Sequence, residues 1–294
     1  EWLKLVVRSV QKINQKYINS VVKKALKEDL KPMGDITTKL VKFSNKKITA
    51  KIIAKQNGVI AGIEFCKQAF KLIGKESIFK SKIKDGKFIK KNKVIAEILA
   101  NTKTILTAER TALNFLNHAS GIATTTNNFV KKVGKKTKIC CTRKTTPNLR
   151  LLEKYAVKKG GGYNHRYNLS SEILIKDNHI KIENNLKNLV NKAIRSKKIV
   201  TVEVENFKQL KQIIGLKFKR ILFDNMKINQ LKKCLKICKK NYETEYSGNA
   251  DLKNVKKISN TGVNRISIGA ITHSKKAFDS SLEIIWTRWF IEFF

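Results

Sequence analysis

From Lys138 onward the chain alternates short apolar segments with helix-like ones, and this rhythm limits the possible folds more than any other feature. The apolar segments are ICCT (139–142), EILI (172–175), IVTVEV (199–204), RILF (220–223), ETEY (243–246) and RISI (265–268). Between them lie NNLKNLVNKAIRS, FKQLKQII, INQLKKCLKICKK and DLKNVKKIS. Strands joined through helices by short connections predict a parallel sheet, because parallel neighbours need crossover connections. The residues just past each strand are equally telling. ICCT is followed by Arg143 and Lys144, EILI by Lys176 and Asp177, and IVTVEV by Glu205 and Asn206. RILF is followed by Asp224 and Asn225, ETEY by Ser247, Gly248 and Asn249, and RISI by Gly269 and Ala270. In a parallel α/β barrel these strand ends share one mouth. A polar residue closing any single strand means little, but this set sorts into cations, carboxylates and small residues that expose backbone. That sorting predicts a site.

The part of the chain before this alternation reads as a small α+β domain. Residues 3–30 suit a helix, with Leu5, Ile13, Tyr17, Val21 and Leu26 at mostly helical intervals, broken at Lys31-Pro32-Met33-Gly34-Asp35. Residues 48–99 hold β-rich runs, ITAKIIA, VIAGIE, SIFKSKI and KVIAEILA, separated by Gly or Asp-Gly turns. A helix over 106–117, with Ala112, Leu113, Leu116 and Ala119 on one face, is expected to give way at Ser120-Gly121 to another.

The block 142–180 packs Arg143, Lys144, Arg150, His165, Arg166, Lys176 and His179 around Gly160, Gly161 and Gly162. Glycines permit the positive-φ turns that bring His165 and Arg166 back over a site. Arginine suits bidentate binding of carboxylate or phosphate, and this chain is sparing with it: only nine of its 63 basic residues are Arg. Four of the nine, Arg110, Arg143, Arg150 and Arg166, lie in or just before the block, which predicts an anion site. Cations beside Glu205 and Asp224 suit a polyanion presented with a divalent metal, since Mg²⁺ usually takes one or two carboxylates plus substrate oxygens and waters. Backbone N–H groups in Ser247-Gly248-Asn249 and Ile268-Gly269-Ala270 are candidates to hold a terminal phosphate. The GxxxxGK[ST] and GxGxxG patterns are absent, which argues against P-loop and Rossmann nucleotide chemistry. No Ser-His-Asp or Cys-His arrangement stands out, and His118 and His273 read as core or supporting histidines.

The formal charge of +41 and pI near 10.2 would by themselves suggest nucleic acid. The excess is nearly all Lys and comes with abundant Asn and Ile, as A/T-rich codons produce. Its densest runs, 87–93 and 131–138, lack the interleaved aromatics of a base-stacking platform. They are expected to be solvated, and no specific nucleic acid is expected as a partner. Five cysteines without metal spacing or an even count point to a reducing, cytoplasmic location. Cys234 and Cys238, one helical turn apart, read as core. No apolar run reaches the roughly 18 residues of a membrane span. The C-terminal IIWTRWFIEFF is expected to be a docked amphipathic element rather than an anchor.

The strings GDITT, AERTALNFLNHASGIAT, TRKTTPNLRLLEKYAVKKGGGYNHR, LIKDNHI, VEVEN, LFDN, YSGN and SIGAITHS resemble, in order, those of the quinolinate phosphoribosyltransferase family. The likeness runs from about residue 20 to 285. It implies conversion of quinolinate and phosphoribosyl pyrophosphate into nicotinate mononucleotide, pyrophosphate and CO₂ with Mg²⁺, in NAD biosynthesis. It also implies an N-terminal α/β sandwich (1–118), an open α/β barrel (119–272) and a C-terminal segment returning to the first domain (273–294). A homodimer with the active site shared across its interface is expected, a hexamer being left open. By resemblance, Arg143, Arg166 and Lys176, with Lys144 and His165 nearby, bind quinolinate, and Arg110 arrives from the partner subunit. Glu205 and Asp224 serve the metal, partly through water, and the ribose; Ser247, Gly248, Asn249, Ser267, Ile268, Gly269 and Ala270 hold phosphate. Lys144, Lys176, Glu205 and Asp224 are the expected catalytic groups. Asn148, Asn168 and Asn249 stand where the family usually has Gly, and Ser171 where it usually has Asp. Asn tolerates left-handed backbone, so the three Asn are expected to preserve turns, while the loss of a carboxylate at Ser171 has no sequence explanation. The competing readings are a nucleic-acid binder with a vestigial site and a paralogue that uses another phosphoribosyl acceptor.

Overall fold

The computed structural model describes residues 12–41, 47–238 and 241–285. Of these, 126–150 and 161–274 form one compact unit, and 12–125, 151–160 and 275–285 form the other.

In the N-terminal unit, helix α1 (Gln15–Leu30) starts at Asn14, whose side chain accepts the Lys16 N–H, and ends ahead of Lys31-Pro32. Its buried stripe is Ile18, Val22 and Leu26, one position on from the expected Tyr17 and Val21, because a strict four-residue step continues to Leu26. Leu5 lies outside the described residues. After the short α2 (Ile36–Leu40), strands β1 (Lys47–Ala54), β3 (Ile78–Ser81), β5 (Val94–Asn101) and β12 (Ser280–Ile285) form an antiparallel sheet in the order β12-β1-β5-β3. Of the expected VIAGIE run only β2 (Gly58–Val59) is a strand, paired with β4 (Phe88–Ile89). At Gly62 (φ 92°) the chain turns into an unanticipated helix, α3 (Ile63–Ile73), with Ile63, Cys66, Ala69 and Phe70 buried at helical spacing. Gly62 has no capping side chain; Asp85 supplies the cap from a distant turn, accepting from the Gly62 and Ile63 N–H groups. Burial pushes the Asp85 carboxyl upward against these hydrogen bonds and that of Tyr155. Tyr17 meets Phe65 edge to face and Phe65 meets Phe115 at a tilt of 37°, linking α1, α3 and the long helix α4 (Thr102–Val133).

Helix α4 runs unbroken through Ser120-Gly121, where a second helix was expected to start. Ser120 is buried and bonds both the N–H and the carbonyl of Ala61. Gly121 is needed for close approach: a Cβ there would sit 2.3 Å from the Lys276 carbonyl oxygen and 3.0 Å from the Phe278 nitrogen. The glycine thus serves packing, not chain reversal. His118 pairs with Glu153, buried on α5 (Arg150–Lys159), at 2.9 Å. Of IIWTRWFIEFF, the described residues Ile284 and Ile285 end β12 and the rest lies outside.

The other unit is an open α/β barrel. Strands β6 (Lys138–Cys140), β7 (Ile173–Ile175), β8 (Val200–Val204), β9 (Arg220–Asp224), β10 (Glu243–Ser247) and β11 (Arg265–Ser267) form a parallel sheet in the order β6-β11-β10-β9-β8-β7. Crossover helices α6 (Asp177–Glu183), α7 (Leu186–Arg195), α8 (Phe207–Ile213), α9 (Ile228–Cys238), α10 (Val255–Ser259) and α11 (Ala270–His273) follow the strands. The strand side chains facing the helices are apolar and buried, as at Val200, Val202, Val204, Ile221 and Phe223. Cys234 and Cys238 are core residues on α9, and the lysines of 87–93 and 131–138 are exposed. All five cysteines are free and buried. Among the described residues, no helix is long and apolar enough to cross a membrane.

Candidate active site

Strand residues alternate between faces, and on β8 to β11 the face turned from the helices is charged. It carries Thr201 and Glu203; Arg220, Leu222 and Asp224; Glu243, Glu245 and Ser247; Arg265 and Ser267. The parallel registers stack these in layers, with Glu243 beside Arg220, Glu245 beside Leu222 and Arg265, and Ser247 beside Asp224 and Ser267. The lowest layer is a closed ionic floor. Arg220 lies 2.9 Å from Glu243, 3.4 Å from Glu172 and 3.5 Å from Glu245, while Arg265 lies 3.1 Å from Glu245 and 3.5 Å from Glu243.

Above this floor, at the carboxyl ends of the strands, opens a cavity of about 740 Å³. It is lined by Arg143, Lys144, His165, Arg166, Lys176, Glu205, Asp224, Ser247, Gly248, Asn249, Ser267, Ile268, Gly269 and Ala270, all expected from the sequence. Arg110 is exposed on α4 in the other unit and is absent from the lining. Arg150 and His179, grouped with the cations in sequence, have other tasks. Arg150 Nε donates to Thr145 Oγ1 at 3.0 Å, and its Nη1 donates to the Tyr167 carbonyl. His179 Nδ1 accepts the Lys176 N–H at the start of α6. Three lining groups were missed: Glu203, Glu245 and His273. For Glu203 the signal was a carboxylate inside a mostly apolar strand, VTVEV, at an inward-facing position; Glu245 lies in the polar strand ETEYS, where a carboxylate does not stand out. His273, expected to be a core or supporting residue, lies on α11 against the cavity.

On the cationic side of the cavity Arg166 is buried and Arg143 half-buried, while Lys144 and Lys176 are exposed. Arg143 Nε is buried and has no hydrogen-bond partner among the described residues. Arg166 is only 8% exposed and touches protein through Nη1 to the Glu172 carbonyl at 3.4 Å. Burial, then the neighbouring Arg143 charge, pushes the Arg166 pKa down. Two guanidinium groups in one partly dry pocket call for an anion. Thr272 Oγ1 donates to the Lys144 carbonyl at 2.7 Å and ties that loop to α11. Opposite, Lys176 Nζ lies 3.7 Å from Glu203 Oε2. Burial pushes the Glu203 carboxyl up; Lys176 opposes this, and Asp224 and Asp177 add to it. Asn225 (φ 51°) donates from Nδ2 to Asp224 Oδ2 at 2.9 Å, and its backbone N–H bonds the Ser247 carbonyl. Gly248 (φ 115°) is obligatory here, because a Cβ would fall 2.1 Å from Asn225 Oδ1 and 2.9 Å from its Cα.

The four departures have separate explanations. Asn148 (φ 63°) and Asn249 (φ 41°) hold left-handed turns, as expected. Asn168 is not left-handed; its Oδ1 instead accepts from the Ser170 N–H and hydroxyl. Ser171 is buried, and its Oγ accepts from the Tyr167 and Asn168 N–H groups at 3.1 and 3.3 Å. The hydroxyl thus does the organising work available to a carboxylate at that point.

Residues 35–120 match the quinolinate phosphoribosyl transferase N-terminal domain and residues 122–283 its C-terminal domain. The chain is 39% identical over 257 residues to a probable nicotinate-nucleotide pyrophosphorylase [carboxylating] of Bacillus subtilis, spanning 85% of this chain and 88% of that protein. It is 39% identical over 282 residues to one of Methanocaldococcus jannaschii, spanning 92% and 98%. The solved nicotinate-nucleotide pyrophosphorylase of Francisella tularensis superposes with a TM-score of 0.89 at 37% identity, covering 94% of this chain and 99% of that one. With both domains matched and the cavity at the shared strand ends, the chain belongs to the quinolinate phosphoribosyltransferase family.

Proposed function

We propose that this protein transfers the phosphoribosyl group of phosphoribosyl pyrophosphate to quinolinate and releases CO₂, giving nicotinate mononucleotide and pyrophosphate for NAD biosynthesis. The observation that carries this reading is the buried, unpartnered Nε of Arg143 beside Arg166. A pyridine with two adjacent carboxylates satisfies both guanidinium groups bidentately, and Lys144 and Lys176 add charge in the same cavity. The ring nitrogen attacks the ribosyl carbon as the bond to pyrophosphate breaks. The carboxylate next to the nitrogen then leaves as CO₂; its bonding electrons stay on the ring carbon, stabilised by the new pyridinium, and are taken up by a proton. Lys144 and Lys176 offset the charge growing on pyrophosphate.

Glu205 and Asp224 line the same cavity and offer only oxygen donors. Among the described residues no group of three or more His, Cys, Asp or Glu forms a ready-made metal cage. This fits Mg²⁺, which takes one or two carboxylates and completes its shell with substrate oxygens and water. When bound it would neutralise the pyrophosphate, with Glu205 and Asp224 also orienting the ribose hydroxyls. Ser247, Gly248, Asn249, Ser267, Ile268, Gly269 and Ala270 would receive the terminal phosphate. Arg110 would complete the acid site from the second subunit of a homodimer, which could also build a hexamer. Five buried thiols support a cytoplasmic setting.

Incubation with quinolinate, phosphoribosyl pyrophosphate and Mg²⁺ should yield nicotinate mononucleotide and CO₂. Turnover of nicotinate but not quinolinate would overturn the acceptor assignment. For the shared site, Arg110→Ala and Arg166→Ala should each be nearly inactive and regain activity on mixing. A mixture that stays inactive despite demonstrated subunit exchange would refute it.

A further inference from the structure

We propose that Glu245 is a positioning residue of the acid pocket, acting on Arg166 through His165; this rests on the reading of Arg166 as an acid-binding cation. Glu245 lies at the junction of floor and cavity, fully buried on β10. Its Oε2 receives Arg265 Nε at 3.1 Å and lies 3.5 Å from Arg220 Nε. Its Oε1 accepts from the Ser267 hydroxyl and faces His165 Nε2 at 3.4 Å. The carboxylate is therefore fixed from three sides before it meets the imidazole.

His165 is 9% exposed, and its Nδ1 accepts the backbone N–H of Arg166 at 2.7 Å. An Nδ1 that accepts a hydrogen bond carries no proton, so the neutral ring bears its proton on Nε2, the nitrogen turned toward Glu245. The Glu245 carboxylate stands at ion-pair distance from Nε2, short of a hydrogen bond, so its charge favours a proton there and with it the tautomer that the Arg166 amide requires. The opposite tautomer would set N–H against N–H, and the doubly protonated ring would do the same. The chain reaches this turn already fixed, since Tyr163 bridges Cys140 beside β6, and it leaves with Arg166 Nη1 on the Glu172 carbonyl. Both ring nitrogens of His165 face protein groups. The imidazole sets the direction of Arg166 and does not itself supply a cation to the substrate, which departs from the expectation that His165 binds quinolinate directly.

The test compares full-length wild type with His165→Asn, His165→Gln, Glu245→Gln and His165→Gln/Glu245→Gln. Binding of quinolinate and of phosphoribosyl pyrophosphate is measured separately by calorimetry. The Asn oxygen can take the place of Nδ1 and accept the Arg166 N–H, whereas Gln reaches the place of Nε2 and leaves that N–H bare. His165→Asn should keep the quinolinate Kd within about threefold, and His165→Gln should weaken it about tenfold or more. The double variant should be no worse than the weaker single by more than about twofold, as expected of residues acting in series. Phosphoribosyl pyrophosphate binding should hold throughout, and wild-type quinolinate affinity should stay flat between about pH 6 and 8. Equal losses in the Asn and Gln variants would overturn the proposal. So would a wild-type affinity falling about tenfold over that range, the mark of an imidazolium ligand. Glu245→Gln removes the charge facing Nε2 and should weaken quinolinate binding in the same direction as His165→Gln, with Glu245→Asp serving if that variant does not fold. A wild-type quinolinate Kd in the folded Glu245 variant would overturn the role of Glu245. Wild type that binds no quinolinate would instead refute the functional reading on which this one rests.

Discussion

At the floor of the barrel Arg220 and Arg265 are each flanked by at least two carboxylates, whereas at the mouth Arg143 keeps a buried Nε without any partner among the described residues. Both sets stand on the same sheet, a layer or two apart. At the floor, burial and charge are matched inside the chain, and nothing is left for a ligand to do. At the mouth, Arg143 Nε has lost water without gaining a hydrogen-bond partner and Arg166 is buried beside a like charge, a state that costs free energy until an anion arrives. Ionic content therefore does not separate a site from a scaffold; the completeness of pairing does. Glu245 belongs to both regions, with the floor's arginines on one oxygen and His165 on the other.

The sharpest way to break this contrast is to remove one arginine from each region. Arg220→Met takes the Arg220 cation from Glu172 and leaves Glu243 with only Arg265 and Lys138, and should lower unfolding stability by about 3–5 kcal/mol in urea titrations. Activity per folded molecule should change less than about tenfold, since Arg220 lies in the floor and not in the cavity lining. Arg143→Ala should do the reverse. Catalytic efficiency toward quinolinate should fall on the order of 10²–10³-fold, with urea stability unchanged or improved because a desolvated charge is gone. Arg143→Lys should recover little of this, as a lysine cannot make the two-pronged contact. If Arg143→Ala destabilised the fold as much as Arg220→Met does, the distinction between matched and unmatched charge would not hold.

Acid titration of a Glu243 variant beside wild type isolates the floor. Burial by itself would raise the Glu243 carboxyl, but Arg265 and Arg220 more than reverse this and its pKa lies below the ordinary value. A folded-state pKa below the unfolded one, near 4.3, means that the unfolded chain binds the proton more readily. The stabilisation is thus present above about pH 4.3 and is lost as pH falls through the folded value. Glu243→Gln should be less stable than wild type at neutral pH. It should also show a shallower acid loss, by at most about 1.4 kcal/mol per pH unit. Parallel wild-type and variant curves below pH 4 would show that Glu243 is not held by its arginines.

The sequence made the mouth far more legible than the floor. Strand ends announce themselves, because an apolar run stops and a polar residue comes next, so Arg143, Lys176, Asp224 and Gly269 were all marked by position. Arg220, Glu245 and Arg265 sit at strand starts or interiors, where their meaning depends on which face they point to and on register between strands distant in sequence. Neither is available before the sheet is assembled. The same limit hid α3: its Ile63, Cys66 and Phe70 stripe comes directly after a two-residue strand, and its cap comes from Asp85. Gly121 misled for the opposite reason, since a glycine demanded by a neighbouring backbone looks in sequence like one that breaks a helix.

The smallest expected effect concerns Ser171, where the mouth is organised by a neutral group. Its Oγ accepts two backbone N–H groups, from Tyr167 and Asn168, and returns a hydrogen bond to the Asn168 carbonyl. These hold the loop just past Arg166. Ser171→Ala leaves those amides unpaired in a buried setting and should cost about 1 kcal/mol, seen as a lowered Tm. The quinolinate KM should rise a few-fold through looser placement of Arg166, while the phosphoribosyl pyrophosphate KM should not move. Ser171→Asp offers the same two N–H groups a carboxylate, one residue from Glu172 and at the end of the loop that follows Arg166. It should match wild type in Tm to within the Ala deficit and keep the quinolinate KM within about twofold. An Asp variant less stable than the Ala variant would show that the hydroxyl is favoured because it is uncharged. The loop would then obey the floor's rule of matched charge rather than the mouth's tolerance of unmatched charge.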